Sequence, residues 1–342
     1  MENKVILFLG SGASATFGLP TGKMLANNVQ NDLKAYSQRI EEIRNNVKTF
    51  GFEDNIDSIL AVLDFWSNPR QTLIDKGPFI AEVTTHKINY FKVKIRDKRI
   101  ALRIKEYIVR KCFVNDRDAI SQIENIYDKF FRGLVEKYKL PLCDIVSTGI
   151  CPAIDVFTTN YDNIIEEYCR VIGVLYFDGY METVNRRYKF QHEKYKSHID
   201  RIRLHKLHGT ITYSVLENNS IASVSYIPQR GGLIIGGEKA TPDLIYPGMH
   251  HYLAKDPQLE MLYTFKSILK NSDICIAIGY SFSDPQIYQI FTDACNHNPD
   301  LKIYIISENS DKLIKSKKMD SNFFIPIKKR LDNLDVTNDI EG

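Results

Sequence analysis

The sequence predicts an α/β protein: a doubly wound, Rossmann-like parallel sheet with helices on both faces, interrupted by a large inserted helical module. Short apolar runs of strand length recur along the chain, and each ends in a turn of small or polar residues that leads into a helical pattern. Residues 34–150, by contrast, show helical periodicity and no strong strand signal. Strands that alternate with helices are typical of a parallel sheet covered on both faces. We therefore expect a sheet domain formed by residues 1–33 and 151–342, with residues 34–150 as the inserted module.

The first predicted strand is Val5–Leu9, and the turn that follows it, residues 10–14, reads GSGAS. Because these residues are small, the backbone can come close to a bulky anionic group. Thr21 is expected to cap a long helix whose first amides face the same group. The third glycine of the usual dinucleotide fingerprint is displaced to Gly18, so a purely structural turn is the alternative interpretation. The predicted nucleotide contacts in this turn are Gly10, Ser11, Gly12 and Ser14.

The second predicted strand, Ile154–Thr158, also ends in polar residues, and residues 158–162 read TTNYD. Polar side chains at the carboxyl end of a parallel strand are where an open α/β sheet binds its ligand. A helix N-cap is the structural alternative, because asparagine and aspartate are both good capping residues. The candidate binding residues of this segment are Thr158, Thr159, Asn160 and Asp162.

The third predicted strand, Arg203–Leu207, runs into His208. Imidazole titrates near neutral pH, so His208 can accept a proton from a ribose hydroxyl or from water. His205 lies three residues earlier, and this spacing on a strand sends the two rings to opposite faces, which disfavours a shared metal ion. We therefore expect a catalytic role for His208 and a packing role for His205.

Two later apolar runs continue the predicted sheet. Ile274–Ile278 leads into residues 279–285, GYSFSDP, where small hydroxyl residues precede a helix capped by an aspartate. Ile303–Ile306 leads to a carboxylate suited to the adenosine ribose, although a simple strand end is the alternative. The candidate nucleotide contacts of these two strand ends are Gly279, Ser281, Asp284 and Glu308.

Four of these segments, taken in order, resemble the signature motifs of the sirtuin family. Residues 10–20 resemble GAGxSxxSGIP, residues 158–162 resemble TQNID, residues 207–209 resemble the histidine–glycine motif, and residues 279–285 resemble the GTS motif. The resemblance implies that one NAD molecule lies along the carboxyl edge of the sheet, with its pyrophosphate over residues 10–14 and near Ser281.

The resemblance also implies roles for individual residues. Asn160 corresponds to the residue that positions water and the ribose beside the scissile bond, Asp162 to the one that holds the nicotinamide carboxamide, and His208 to the catalytic histidine. Thr159 stands where the family has glutamine, and Tyr161 where it has isoleucine.

The main departure from the family is a missing zinc module. No cysteine lies between Cys169 and Cys275, where many sirtuins carry two C-x-x-C pairs, so no zinc is expected. The sequence is closer to a bacterial sirtuin-like branch without that module. With no recognisable acyl-lysine cleft, water is the expected nucleophile. We predict an NAD glycohydrolase that releases nicotinamide and ADP-ribose in anti-phage defence. The alternatives are a protein deacylase or ADP-ribosyltransferase, and a non-catalytic nucleotide sensor.

Composition narrows the remaining expectations. The 342-residue chain has a net charge of +3, no apolar run that could span a membrane, and no secretory leader in its first residues, so we expect a cytoplasmic protein. Six scattered cysteines indicate buried thiols rather than disulfides. NAD depletion needs restraint, so we expect a homo-oligomer controlled by a partner ATPase or a phage-derived trigger. The basic stretch Lys87–Lys111 is interpreted as a solvated helix face or a subunit contact, with binding of nucleic acid or an acidic partner as the less favoured alternative.

The remaining patterns predict local structure. Helices are expected from Thr21 to Val47, after Asp54 or Asn55, before Ile100 and from Asp118. Residues 213–255 are predicted to be rich in loops with one strand at 232–235, forming a lid or an oligomer contact. Asp256 is expected to cap a helix whose first residue is proline. The tail after Lys328 is predicted to fray.

Overall fold

The structure is a computed structural model that describes residues 4–49, 52–67, 94–143, 148–183, 187–197, 200–218, 220–224, 234–235, 237–244 and 257–340. The strands are β1 Val5–Leu9, β2 Asp155–Thr158, β3 Tyr180–Glu182, β4 Arg187–Phe190, β5 Arg203–Lys206, β6 Gly209–Leu216, β7 Ile221–Ser223, β8 Ile234–Ile235, β9 Glu238–Leu244, β10 Ile274–Ile278, β11 Lys302–Ile306 and β12 Phe324–Ile327. The helices are α1 Ser11–Ala15, α2 Gly22–Asp32, α3 Ser37–Thr49, α4 Ile56–Ser67, α5 Lys94–Cys112, α6 Arg117–Tyr138, α7 Ile164–Ile172, α8 His192–Ser197, α9 Gln258–Lys270, α10 Pro285–His297, α11 Ser310–Lys317 and α12 Val336–Asp339.

The main sheet has six parallel strands in the order β12-β11-β10-β1-β2-β5. Followed along the chain, this is the doubly wound order of a Rossmann-type fold, and the order reverses between β1 and β10. Every residue of β1 and β10 is buried, which explains why both strands appear in the sequence as uninterrupted apolar runs. The predicted fold class is confirmed, and the reversal point is where such sheets bind ligands.

The second sheet is antiparallel and was not predicted. Its order is β3-β4-β7-β6-β9-β8, so most of the described part of residues 213–255 is strand, and the loop-rich prediction is wrong there. Strand β6 contains threonine, tyrosine and valine, which favour strands, and its residues 210–215, TITYSV, alternate between polar and apolar side chains. Of the strand predicted at 232–235, the structure describes only Ile234–Ile235.

The pattern from Thr21 to Val47 predicts one long helix or two in line, and the structure has two helices joined by a short 3₁₀ turn. Thr21 caps α2, as expected, because its Oγ1 accepts from the Met24 amide at 3.4 Å. The chain leaves helical geometry at Leu33 (φ −92°, ψ 57°), and α3 begins at Ser37. Most of the predicted glycine turn, residues 10–14, is itself helical, because the five-residue α1 begins at Ser11.

Other helix starts agree with the prediction or differ from it by one residue. Asn55 caps α4, as predicted, by accepting from the Ser58 amide at 2.9 Å, whereas α6 begins at Arg117, one residue before the predicted start at Asp118, with Asp116 as its cap. Helix α9 begins at Gln258 with Pro257 as its capping residue, so the proline lies one position earlier than expected; Asp256 is outside the described residues.

Helices α2 to α5 pack around a core of their own, which includes Ile59 and Ile104 and extends to Tyr161, Ile211 and Leu244 of the sheet domain. Helix α6 instead packs into the core of the main sheet. From this packing we propose that the module comprises residues 22–112, which moves α2 into it and α6 out of it.

The basic stretch fits the module's packing. The apolar stripe of α5, Ile100, Ile104 and Ile108, is fully buried, while basic side chains of the helix pair with nearby acids, as in the contact of Arg103 with Glu106 at 2.8 Å. Residues 87–93 of the stretch lie outside the described ranges. Among the described helices, none combines the length and apolar character needed to cross a bilayer.

The C-terminal segment does not fray through residue 340. Leu331, Leu334, Val336 and Ile340 are buried in the core of the main sheet, and Asp335 caps α12. Their spacing fits no long helix or strand, so the apolar side chains were hidden in a sequence that looks polar.

The cysteine prediction is wrong at one pair. Cys143 and Cys151 form a disulfide, with their Cα atoms 5.6 Å apart, because an antiparallel bridge between Leu142 and Pro152 brings the two together. The other cysteines, Cys112, Cys169, Cys275 and Cys295, are free and buried, as predicted.

Candidate active site

A cavity of about 260 Å³ lies at the carboxyl edge of the main sheet, between the strand ends and the module. The loops after β1, β2 and β10 and the residue His208 after β5 form one wall, and the start of α2 and α4 forms the other. The residues predicted from sequence that line it are Ser11, Ser14, Thr159, Asn160, Asp162, His208, Ser281 and Asp284. The cavity therefore gathers side chains from four separate strand ends.

A buried hydrogen-bond network joins the first two strand ends. The Asn160 amide nitrogen Nδ2 donates to the Gly10 carbonyl oxygen at 2.9 Å and to Ser14 Oγ at 2.8 Å. Ser14 Oγ in turn donates to Asp162 Oδ2 at 2.6 Å. All three side chains are at most 9% exposed, so the network is held away from bulk water. Because both bonds of Asn160 use its nitrogen, the orientation of the amide group is fixed.

Two further side chains, Thr158 and Lys206, support this network. Thr158 Oγ1 donates to the Leu9 carbonyl oxygen at 3.0 Å and accepts from the backbone amide of Asn160 at 2.9 Å. Lys206 Nζ donates to the Asp162 carbonyl oxygen and pairs with Glu166 Oε1 at 2.9 Å. Burial raises the pKa of Glu166 to about 7, although Lys206 opposes the rise. Thr158 thus positions the site without lining the cavity.

His208 pairs with Asp284 in the same wall of the cavity. Nε2 of His208 lies 3.2 Å from Asp284 Oδ2, and the two residues are 5% and 3% exposed. A carboxylate can only accept, so His208 donates from Nε2 in this pair. Asp284 Oδ1 also accepts from the Gln286 and Ile287 amides, which confirms its predicted capping role.

Glycines allow the segments after β1 and β10 to pack closely against each other. The Gly10 and Gly12 amides donate to the Ile278 and Gly279 carbonyl oxygens, both at 2.9 Å. A Cβ on Gly12 would lie 2.7 Å from Gly279 Cα, and Gly279 itself has φ +62°. Side chains would therefore separate the loops at the point where the strand order reverses. Within this pair of loops, Ser11, Ser14 and Ser281 line the cavity, whereas Gly10, Gly12 and Gly279 do not.

The residue predicted to bind the adenosine ribose, Glu308, does not contribute to this cavity. Glu308 is exposed and does not line it.

The loop after β10 is tightly packed. Phe282 has φ +52°, an uncommon conformation for a bulky residue, and its ring packs between Tyr280 and Phe291.

The module contributes residues that the sequence did not indicate, chiefly Lys23 and Asp57. Asp57, in the first turn of α4, accepts a hydrogen bond of 2.5 Å from the Tyr161 hydroxyl. Burial raises the pKa of the Asp57 carboxyl, and the Tyr161 hydroxyl and His208 oppose that rise. Asp284 and Glu53 raise it further through their charges. Nothing in local sequence could place Asp57 there, since it is 104 residues from Tyr161.

The two histidines at the end of the third predicted strand, His205 and His208, have different roles. His205 is fully buried, stacks on Phe157 with ring centroids 4.1 Å apart, and contacts Asp155 Oδ1 at 2.7 Å. Burial lowers the pKa of His205, although Asp155 opposes this. His205 thus has the packing role predicted for it. Across the part of the chain that the structure describes, no three His, Cys, Asp or Glu side chains are grouped to hold a metal ion.

Comparison with known proteins gives a family match and several distant structural neighbours. A family model described as a SIR2-like domain matches residues 155–327, just over half of the chain. A substituted Sir2 homologue in complex with 2'-O-acetyl ADP-ribose aligns with a TM-score of 0.45 and 11% identity, over 98% of this chain and 90% of that one. A Sir2 homologue in complex with NAD aligns with a TM-score of 0.44 and 12% identity, over 97% of this chain and 86% of that one. No curated protein matches the sequence.

Proposed function

Because the chain belongs to the SIR2-like domain family, we propose that it is an NAD glycohydrolase, which cleaves NAD to nicotinamide and ADP-ribose. The observation that carries this proposal is that Asn160 and His208, from two different strand ends, line one cavity beside Ser11 and Ser14. An amide with a fixed orientation and an imidazole paired with a carboxylate are the groups that such a hydrolysis needs near the sugar.

The proposed reaction breaks the bond between the ribose C1' atom and the nicotinamide nitrogen. The bonding electrons leave with nicotinamide, so its ring loses its positive charge while charge develops on the ribose. A water oxygen then bonds to C1' and releases one proton. Placement of the water and stabilisation of the ribose cation account for most of the rate in this kind of chemistry.

Each site residue has a task in this reaction. Asn160 offers its amide oxygen to the ribose or the attacking water, since both of its described bonds use the nitrogen. His208 accepts the released proton on Nδ1, and Asp284 stabilises the imidazolium that forms. Asp162, bonded to Ser14, is suited to hold the nicotinamide carboxamide. Ser11 and Ser281 provide hydroxyl groups for the pyrophosphate.

The biological role that we propose is anti-phage defence by NAD depletion. This extends the sequence resemblance to sirtuin-like proteins that lack the zinc module. Such an enzyme needs control, which we propose comes from assembly of several copies, from a partner ATPase or from a phage-derived trigger.

The test follows nicotinamide release from NAD by the wild-type protein and by Asn160→Ala and His208→Ala. We expect both variants to lose at least about 100-fold in rate, because positioning and proton transfer each contribute on this scale. Asn322→Ala is the matched control, since Asn322 is exposed and outside the cavity, and it should keep the wild-type rate. Equal turnover by all four proteins would reject the site.

A second arm separates an untriggered enzyme from a wrong proposal. Calorimetry should detect NAD binding by the wild-type protein, and weaker binding by Ser14→Ala, even without turnover. A protein that neither binds NAD nor cleaves it would contradict the proposal. An acetyl-lysine peptide in the same assay tests the deacylase alternative, for which nicotinamide release would depend on the peptide.

A further inference from the structure

One side chain of the module makes a direct hydrogen bond to the catalytic segment. Asp57 lies in the first turn of α4 and accepts from the Tyr161 hydroxyl, 104 residues away in sequence, at 2.5 Å. Tyr161 is flanked by Asn160 and Asp162, which form the buried network with Ser14. The bond therefore joins the module to the residue between the two side chains that the reaction depends on.

Tyr161 is held from several directions at once. Its ring is 8% exposed and belongs to the core that α2 to α5 share. Its carbonyl oxygen accepts from the Ile211 amide at 3.1 Å, which ties it to the second sheet. Its hydroxyl group extends towards the cavity, where both Tyr161 and Asp57 are lining residues. The phenol is thus the point where the module, the second sheet and the catalytic segment meet.

The surroundings of Asp57 are charged. His208, Asp284 and Glu53 are close enough to influence its carboxyl. Water competes little for the hydrogen bond between the phenol and the carboxyl group, because the Tyr161 ring is buried. An alanine at position 57 would remove this bond between α4 and the segment, although the ring would stay packed in the core.

We propose that Asp57 is a positioning residue of the active site, which fixes the segment Asn160–Tyr161–Asp162 through the Tyr161 hydroxyl. The module is then part of the catalytic machinery, because it sets where Asn160 stands relative to His208. This proposal adds a residue role to the proposed glycohydrolase function. Its kinetic test depends on that function, whereas its structural test does not. The position of α4 becomes a means by which the module can raise or lower activity.

The kinetic test compares Asp57→Ala, Tyr161→Phe and the double variant. Each single change should lower kcat for nicotinamide release by about 30-fold with little change in KM, since a small displacement of a catalytic group has effects of this size. The double variant should be no worse than either single one, because both remove the same bond. Independent, multiplying losses would overturn the proposal.

Two further variants separate the effect of the hydrogen bond on the rate from the effect of the Asp57 charge and from a general loss of structure. Asp57→Asn can still accept from the phenol and should recover most of the lost rate; if it is as slow as Asp57→Ala, Asp57 acts by its charge and the proposal is wrong. Asp54→Ala is the matched control, since Asp54 pairs with Arg44 at 2.7 Å in the same part of the chain but does not line the cavity. It should leave kcat unchanged.

Amide hydrogen exchange tests the same claim without any substrate. In Asp57→Ala and Tyr161→Phe, the amides of residues 159–163 should exchange about tenfold faster than in the wild type, while those of β1 stay protected. Unchanged exchange at 159–163 would overturn the positioning role. If exchange changes as expected but the wild type neither binds nor cleaves NAD, the positioning role stands and the glycohydrolase proposal fails.

Discussion

The two walls of the cavity are built in different ways. The sheet wall carries Ser14, Asn160, Asp162, His208 and Asp284, all at most 9% exposed and bonded to one another or to backbone. The module wall carries Lys23 and Glu53, which are exposed, and Asp57, which is half-buried and bonded to Tyr161. The sheet wall is thus rigid before any ligand arrives, and the module wall lies on a largely separate core.

The difference indicates that the two walls of the cavity have different functions. Groups that break a glycosidic bond must be held to within a fraction of an ångström, which buried networks do well. Groups on an element with its own core can shift as a unit without disturbing the sheet. We therefore expect substitutions in the sheet wall to cost more than those in the module wall, and the following predictions test that order.

The largest expected effect is at Gly279, where the two sheet-wall loops touch. A Cβ in Gly279→Ala would overlap the Gly12 backbone, and φ is +62°. We expect a loss of about 4 kcal/mol in unfolding free energy, the sum of backbone strain and overpacking. The control Gly18→Ala has a similar φ of +78° but open space around it, and should lose only about 1 kcal/mol. Equal losses in urea unfolding would show that the loops are not packed this closely.

The next effect is in the module core. Ile59 is fully buried there, and Ile59→Ala should cost about 3 kcal/mol through the cavity it leaves. Hydrogen exchange should show the loss in α2 to α5 and not in β1 or β10, if the module opens as a separate unit. The same loss of protection in the strands would mean that module and sheet unfold together, and the contrast between the walls would disappear.

A smaller effect is expected at Ser14, the bridge of the sheet-wall network. Ser14→Ala leaves Asp162 and Asn160 each without one buried partner and should cost about 2 kcal/mol. Ser11→Ala, on the exposed rim of the same turn, should stay within about 0.5 kcal/mol of the wild type. Thermal unfolding of the two variants measures the difference, and a neutral Ser14→Ala would show that the network adds nothing to stability.

The smallest effect is expected at Lys23, in the module wall. Because its side chain is exposed, its attraction for a pyrophosphate is worth at most about 1 kcal/mol. Lys23→Ala should raise KM for NAD by up to about fivefold, leave kcat unchanged and reduce the dependence of KM on salt. Lys34→Ala, also exposed but outside the cavity, is the control. A large fall in kcat would place Lys23 among the reacting groups instead.

The sheet wall is also the part that the sequence predicted best. Buried parallel strands such as Val5–Leu9 and Ile274–Ile278 appear as unbroken apolar runs, and their polar ends fall at one edge because all the strands are parallel. That rule alone brings Asn160 and His208 to the same place. It does not say which side chains reach the cavity, and Gly10, Gly12 and Glu308 do not.

Two unpredicted features depend on tertiary contacts rather than on a local sequence pattern. The bond from Tyr161 to Asp57 joins residues that share no motif, and the disulfide between Cys143 and Cys151 follows from a bridge between neighbouring segments. The second sheet was not predicted, although residues 210–215 of β6, TITYSV, alternate between polar and apolar side chains as a strand does. Leu334 and Val336 are buried in the core of the main sheet, in a segment that contacts α6.

The most direct test of the account is a crystal structure of Asn160→Ala with NAD bound. The slow variant should retain intact NAD, with the ribose C1' atom between residue 160 and His208 and the pyrophosphate beside Ser11. Tyr161 should remain bonded to Asp57 in the same crystals. NAD bound outside the cavity, or turned so that its adenine lies against His208, would contradict the central claim.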